Sequence, residues 1–208
     1  MAAVDLRPLP VRIDPTRRLV QLVGGLALYG TSMGMQVRAT LGLNPWDVLH
    51  EGLALRTPLS FGLITAVTGV AVLLLWIPLR QRPGIGTVAN VVLIALTVDI
   101  ALAVIPEPDG LVARIALLLG GVLLNGVASA AYIGARLGPG PRDGLMTGLA
   151  ARTGRSIRLV RTGIEISVLA IGWCLGGTVG VGTVLYALAI GPLTQAFLPF
   201  LVVRNGPE

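Results

Sequence analysis

The sequence predicts an all-α polytopic membrane protein: six transmembrane helices in a 3+3 inverted repeat, with a short Pro-x-Asp half-helix or re-entrant segment in each half. Three observations predict it. Of 208 residues, 54% are hydrophobic and only 12% charged, at a mean hydropathy of +0.83, which is too apolar for a soluble domain of this length. Six apolar runs are long enough to cross a hydrocarbon core of about 30 Å, which takes roughly 20 residues of helix. The chain also matches itself without a gap at an offset of 96 residues, and such self-similarity is sought before any fold is named.

Residues 1–18 hold Arg7, Arg12, Arg17, Arg18 and three prolines ahead of the first apolar run. No small-residue cleavage site follows that run, so the segment reads as a retained cytoplasmic tail. The first three-helix repeat, 19–105, contains runs at 19–39, 60–79 and 86–105. The second, 111–203, contains runs at 111–135, 157–176 and 181–203. Pro78, Pro83, Pro106, Pro108 and the glycines from Gly176 to Gly182 separate them. The runs are continuous and do not alternate in polarity, which excludes the short alternating strands of a β-barrel. Together they form a single membrane domain.

The repeat is clearest where LGLNPWDVLHEGLALRTPLS falls on LGPGPRDGLMTGLAARTGRS. Pro45 meets Pro141, Asp47 meets Asp143, Arg56 and Thr57 meet Arg152 and Thr153, and Ser60 meets Ser156. Gly24, Gly25 and Gly30 fall on Gly120, Gly121 and Gly126, and Gly86-Thr87-Val88 falls on Gly182-Thr183-Val184. Glycine and leucine coincide by chance in any apolar chain. Proline, aspartate, arginine, threonine and serine in one ungapped block do not, so the halves are a duplication.

Three crossings per half is an odd number, which turns the second copy upside down. With the amino terminus inside, thirteen arginines are cytoplasmic, including Arg80, Arg82, six from Arg136 to Arg161, and Arg204. Arg38, Arg56 and Arg114 alone lie outside. That bias places both termini in the cytoplasm of a multi-pass plasma-membrane protein. Four spans per half would give a split of about eleven to five and would bury Asp47, His50, Glu51 and Arg56. Charged residues at that depth each cost about 2.5–3.5 kcal/mol on insertion scales, which disfavours this arrangement.

All sixteen basic residues are arginine. Because they lie between apolar runs, the pI near 11.0 reflects orientation in the bilayer and implies no nucleic-acid partner. Cys174 is the single cysteine, which excludes an internal disulfide and a cysteine metal site.

The candidate solute path begins with the repeated block. Pro45 and Pro141 suit the first helical position, and Asp47 and Asp143 suit the first turn beside free amides and the positive end of the helix dipole. Two readings stand. The carboxylates simply start short helices, or each block dips partway into the membrane from its own face, lining a protein-walled path where irregular backbone is tolerated. Asn44 and Trp46 of the first block become Gly140 and Arg142 in the second, so Asn44 and Arg142 join the candidates on unequal terms.

Asp99 and Gln195 occupy equivalent positions near the ends of their spans and put a hydrogen-bonding group at one depth in each half. Asp99 either lines a polar cavity or reaches the headgroups. Glu165 lies one helical turn after Arg161 and is placed to pair with it. His50, whose counterpart is Met146, is either a satisfied or headgroup-facing histidine or part of a proton relay. Gly30 and Gly34, with Gly126, Ala130 and Gly134, form stripes of small residues that predict close packing of the first span on the fourth.

The paired Leu-Gly, Pro-x-Asp and downstream glycine features, with six spans in about 200 residues, resemble the YczE-type bacterial membrane proteins, a YczE/YyaS/YitT-like group. The resemblance covers about residues 17–203. It implies a membrane location and this architecture, and no particular activity.

No nucleophile triad, metal-ligand cluster, phosphate loop or cofactor fingerprint is present, so no enzyme activity and no cofactor are expected. The reading is a small-solute transporter working by alternating access, in contact with the lipid bilayer and an unidentified solute. A substrate-binding membrane subunit of a multicomponent importer, with an energising partner, is the second reading, and a non-catalytic membrane scaffold the third. Homo-oligomers fit any of them.

Overall fold

A computed structural model of the chain describes residues 6 and 8–203. Arg7 and Arg204, counted above among the cytoplasmic charges, lie outside the described residues. Within them are eight helices and no strand: α1 (Pro15–Ala39), α2 (Pro45–Ala54), α3 (Phe61–Leu79), α4 (Ile85–Val104), α5 (Leu111–Gly134), α6 (Pro141–Thr153), α7 (Ile157–Cys174) and α8 (Val181–Leu201). The start of each helix in the second half lies 96 residues after its counterpart in the first.

Four of the helices, α3, α4, α5 and α8, are long and apolar enough to cross a membrane. The other two expected spans are less apolar for identifiable reasons. Gln21, Gln36 and several glycines dilute α1, while Arg158, Arg161 and Glu165 occupy the first half of α7. On α4, Val88, Val92, Leu96, Ile100 and Val104 form an exposed apolar stripe, while Ile94, Val98 and Ala101 are buried. A surface of this kind is at equilibrium in hydrocarbon and not in water.

The centre of the bundle is the α1–α5 pair. At Gly25 an added Cβ would stand 2.9 Å from the Tyr132 amide nitrogen, and at Gly121 it would stand 3.0 Å from Gln36 Cγ and 3.2 Å from Ser32 O. Early α1 therefore meets late α5 and late α1 meets early α5, so the helices run antiparallel. The packing of the first span on the fourth is as expected, but the glycines responsible are different. The Gly30 and Gly34 stripe faces Ile94, Thr97, Val98 and Ala101 of α4, and Gly126 and Gly134 face Leu193 and Leu201 of α8. α1 and α5 each have two close-packed faces, and glycine spacing does not say which neighbour takes which face.

The linkers repeat as well. Thr40 and Arg136 both adopt left-handed conformations, with φ 53° and 54°, followed by Gly42 at 110° and Gly138 at 126°. These turns deliver the chain to the opposite half: Gly182 N donates to Leu41 O at 2.8 Å, and Gly86 N to Leu137 O at 3.0 Å. Arg56 Nε donates to Leu175 O at 3.2 Å, while Arg152 donates to Pro78 O. Each block is thus held by the last carbonyls of the other half's helix. α2 lies along α7, and α6 along α3. The symmetry breaks at α3, which packs along α4, while α7 and α8 share no comparable contact.

Candidate functional site

Both short helices start in the interior. Asn44 caps α2: its Oδ1 accepts from the amides of Trp46 and Asp47 at 3.1 Å each, and its Nδ2 donates to Asp47 Oδ2 at 2.5 Å. Pro45 takes the first helical position, where its missing N–H leaves no donor unpaired. In α6, Pro141 does the same, but Gly140 has no side chain to cap with. The start of α6 is held by a contact of a different kind, Trp76 Nε1 donating to Pro141 O at 2.9 Å.

The two helix starts meet across a cavity of about 70 Å³ lined by Trp46, His50, Pro141, Arg142 and Asp143, with Tyr29, Thr65, Asn90 and Tyr132 from the long helices. The Arg142 guanidinium lies over the Trp46 ring, 4.8 Å from its centroid, a cation–π geometry. It is also 3.9 Å from Asp47 Oδ1. Tyr132 donates to Asp143 Oδ2 at 2.8 Å, and Tyr29 packs edge-on against Tyr132.

Asp47 and His50 are fully buried. His50 Nδ1 lies 3.2 Å from Asp47 Oδ1 and 3.2 Å from Thr65 Oγ1. Asp47 Oδ1, His50 Nε2 and the Trp46 indole nitrogen have no aligned hydrogen-bond partner among the described residues. Buried polar groups are paired in nearly all native interiors, and two of these three atoms belong to side chains that line the cavity, Trp46 and His50. The buried Asp47 charge is offset by Arg142, by Asn44 and by its place in the first turn of α2.

Of the sequence candidates, Asn44, Pro45, Asp47, His50, Pro141, Arg142 and Asp143 are gathered at or immediately behind this cavity. Asp99, Gln195 and Glu165 stand apart. Asp99 accepts from Ser60 Oγ at 2.6 Å and Gly62 N at 2.7 Å, which ties α4 to the start of α3. Glu165 pairs with Arg161 at 2.8 Å. Gln195 is exposed on α8.

Sequence reasoning passed over Tyr29, Thr65, Asn90, Tyr132 and Trp76. One signal was available for three of them, because at the repeat offset Tyr29 falls on Asn125, Asn90 on Tyr186, and Gln36 on Tyr132. Each pair is polar within an apolar helix. The partners form their own buried cluster: Tyr186 donates to Asn125 Oδ1 at 2.9 Å, and Asn125 Nδ2 to Ser32 Oγ at 2.7 Å. A wider apolar groove of about 780 Å³ between α3, α6 and α7 adjoins the cavity at Trp46 and Val72.

Comparison with known proteins agrees with a membrane protein and adds a family. An uncharacterized protein of Haemophilus influenzae is 42% identical over 177 residues, 85% of this chain and 81% of that protein. The uncharacterized membrane protein YczE of Bacillus subtilis is 33% identical over 82% of this chain and 80% of its own length. YyaS of the same organism is 23% identical over 85% of this chain and 90% of its own. No solved structure matches. A family model described as a family of unknown function, DUF6198, matches residues 16–199, and the chain, a YczE-type membrane protein, belongs to that family.

Proposed function

We propose that this protein is a non-catalytic small-solute carrier of the plasma membrane, with six crossings as two inverted halves, both termini in the cytoplasm, and α2 and α6 as half-helices entering from opposite faces. The observation that carries the reading is the meeting of Trp46 and Arg142, one from each half, at a cavity lined by both halves. Membrane carriers of inverted design bind solute at a repeat interface, between half-helix starts. The antiparallel run of α1 and α5 supports opposed halves. So does the gathering of Arg80, Arg82, Arg152, Arg155 and Arg158 at one end of the bundle, where Arg152 reaches the end of α3.

Two near-equivalent halves have two packings of opposite sense and similar energy, which is what outward-open and inward-open states require. The test is uptake of a radiolabelled metabolite panel into vesicles containing the purified full chain. Flux of a solute that saturates, and that Arg142→Ala lowers at least about tenfold, is the expected result. Absence of both flux and binding across the panel would instead point to a scaffold. Flux only in the presence of an added ATPase would point to a subunit of a larger importer.

A further inference from the structure

The histidine at the cavity wall has a defined proton arrangement. Thr65 Oγ1 donates its single hydrogen to Phe61 O at 2.9 Å, so toward His50 Nδ1, at 3.2 Å, it presents lone pairs. Asp47 Oδ1, 3.2 Å from the same nitrogen, is also an acceptor. The ionised Asp47 oxygen can only accept, so this geometry favours the tautomer with hydrogen on Nδ1. The neutral imidazole therefore keeps its lone pair on Nε2, which is buried and has no partner among the described residues, in a side chain that lines the cavity. A carboxylate behind one imidazole nitrogen fixes the tautomer and stabilises the imidazolium formed when the other accepts a proton.

We propose that Asp47 and His50 form the proton-binding site of the cavity, with Nε2 as the atom that takes the proton. The step is simple: a proton adds to the Nε2 lone pair, no bond breaks within the protein, and the new positive charge is held against Asp47. The groups facing it are known. α2 supplies Asp47, α6 supplies Arg142 and Asp143, α1 and α5 supply Tyr29 and Tyr132, α3 supplies Thr65 and an edge-on Phe61 ring, and α4 supplies the neutral Asn90. α7 meets α2 at Gly172, against Val48 and Leu49. With Arg142 between Trp46 and Asp47, two cationic groups compete for one carboxylate. Charging His50 therefore pushes Arg142 away from Asp47 and toward the open cavity. Resting on the carrier reading, this couples proton binding to solute binding, and Met146, the counterpart of His50, makes it a single site in one half only.

The chain contains one histidine, so ¹⁵N-histidine labelling of the full protein in lipid nanodiscs yields the signals of this imidazole alone. The expected neutral form has hydrogen on Nδ1 and an unprotonated Nε2, and it converts to imidazolium in one step as pH falls. Asp47→Asn should lower that midpoint by about one pH unit or more, as expected for loss of an opposite charge within 4–6 Å. A neutral form with hydrogen on Nε2, an imidazole that does not titrate between about pH 4 and 9, or a midpoint unmoved in Asp47→Asn would overturn the proposal. The first two readings need only the wild-type chain, so they stand even where the variant fails to fold. Failure of the carrier reading shows up separately, as absent flux with the titration intact.

Discussion

Asn44 and Gly140 hold equivalent places at the starts of α2 and α6, but only one has a side chain that accepts from the free amides. Three of the cap's bonds converge on the first turn of α2. Replacing a capping Asn with Ala costs about 0.5–2 kcal/mol, and here the loss also removes a donor from the buried Asp47 carboxylate. Asn44→Ala should therefore lower the thermal unfolding midpoint in detergent more than a typical surface substitution. α6 has no such cap, and its start is tied instead by Trp76 donating to Pro141 O. Trp76→Phe removes that buried hydrogen bond, a loss of about 0.5–1.5 kcal/mol, and with it the indole atoms that lie against Gly144. It should destabilise the protein through both the lost bond and the loosened packing at Gly144, and thermal unfolding measurements in the same detergent check this. Asp99 belongs to the same scale. Its depth suited either a polar cavity or the headgroups, and two donors from the start of α3 occupy both of its oxygens.

Between helices, the glycines divide into those that the fold requires and those it merely contains. Gly42 has φ of 110° and a Cβ there would stand 2.6 Å from the Gly180 nitrogen, so Gly42→Ala is strained in its backbone and clashes with α8's first turn. Gly138 is its counterpart, at φ 126°. By contrast Gly24 sits inside α1 with open space around it, and Gly24→Ala gains up to about 1 kcal/mol of helix propensity. Thermal unfolding should show a clear loss for Gly42→Ala and no loss for Gly24→Ala. If the two behaved alike, the close approach of the α1–α2 turn to α8 would be wrong. Pairing of α2 with α7 and α6 with α3 is an exchange between halves, and it means that neither half holds its own short helix in place alone.

At the level of the whole molecule, the proposed inverted arrangement makes a topological prediction. Thr57 follows α2 beside the start of α3, and Thr153 ends α6 beside the end of α3, where Arg152 reaches Pro78. Both are exposed, unlike Asp47 and His50, which no membrane-impermeant reagent can reach. With Cys174 replaced by serine, because it too is exposed, Thr57→Cys should react from the outside of intact cells. Thr153→Cys should react only after permeabilisation. Labelling of both from one side would remove the inverted topology and the carrier reading with it.

Much of this was legible along the chain. The ungapped repeat, the helix starts at Pro45 and Pro141 and the Arg161–Glu165 pair all follow from spacing, because spacing along a helix sets depth and face. What spacing lacks is rotation about the helix axis and the identity of the neighbour. Hence Gly30 and Gly34 were matched to α5, when they pack on α4. Thr65 and Tyr132 went unnoticed because each becomes a site residue only through a partner on another helix. The sequence alone thus determined a duplicated, apolar, helical membrane protein, since hydropathy and self-similarity are properties of order along one chain. Only the tertiary structure decided that Asp47, His50, Arg142 and Asp143 surround one cavity, because that depends on how two separately legible halves exchange their short helices.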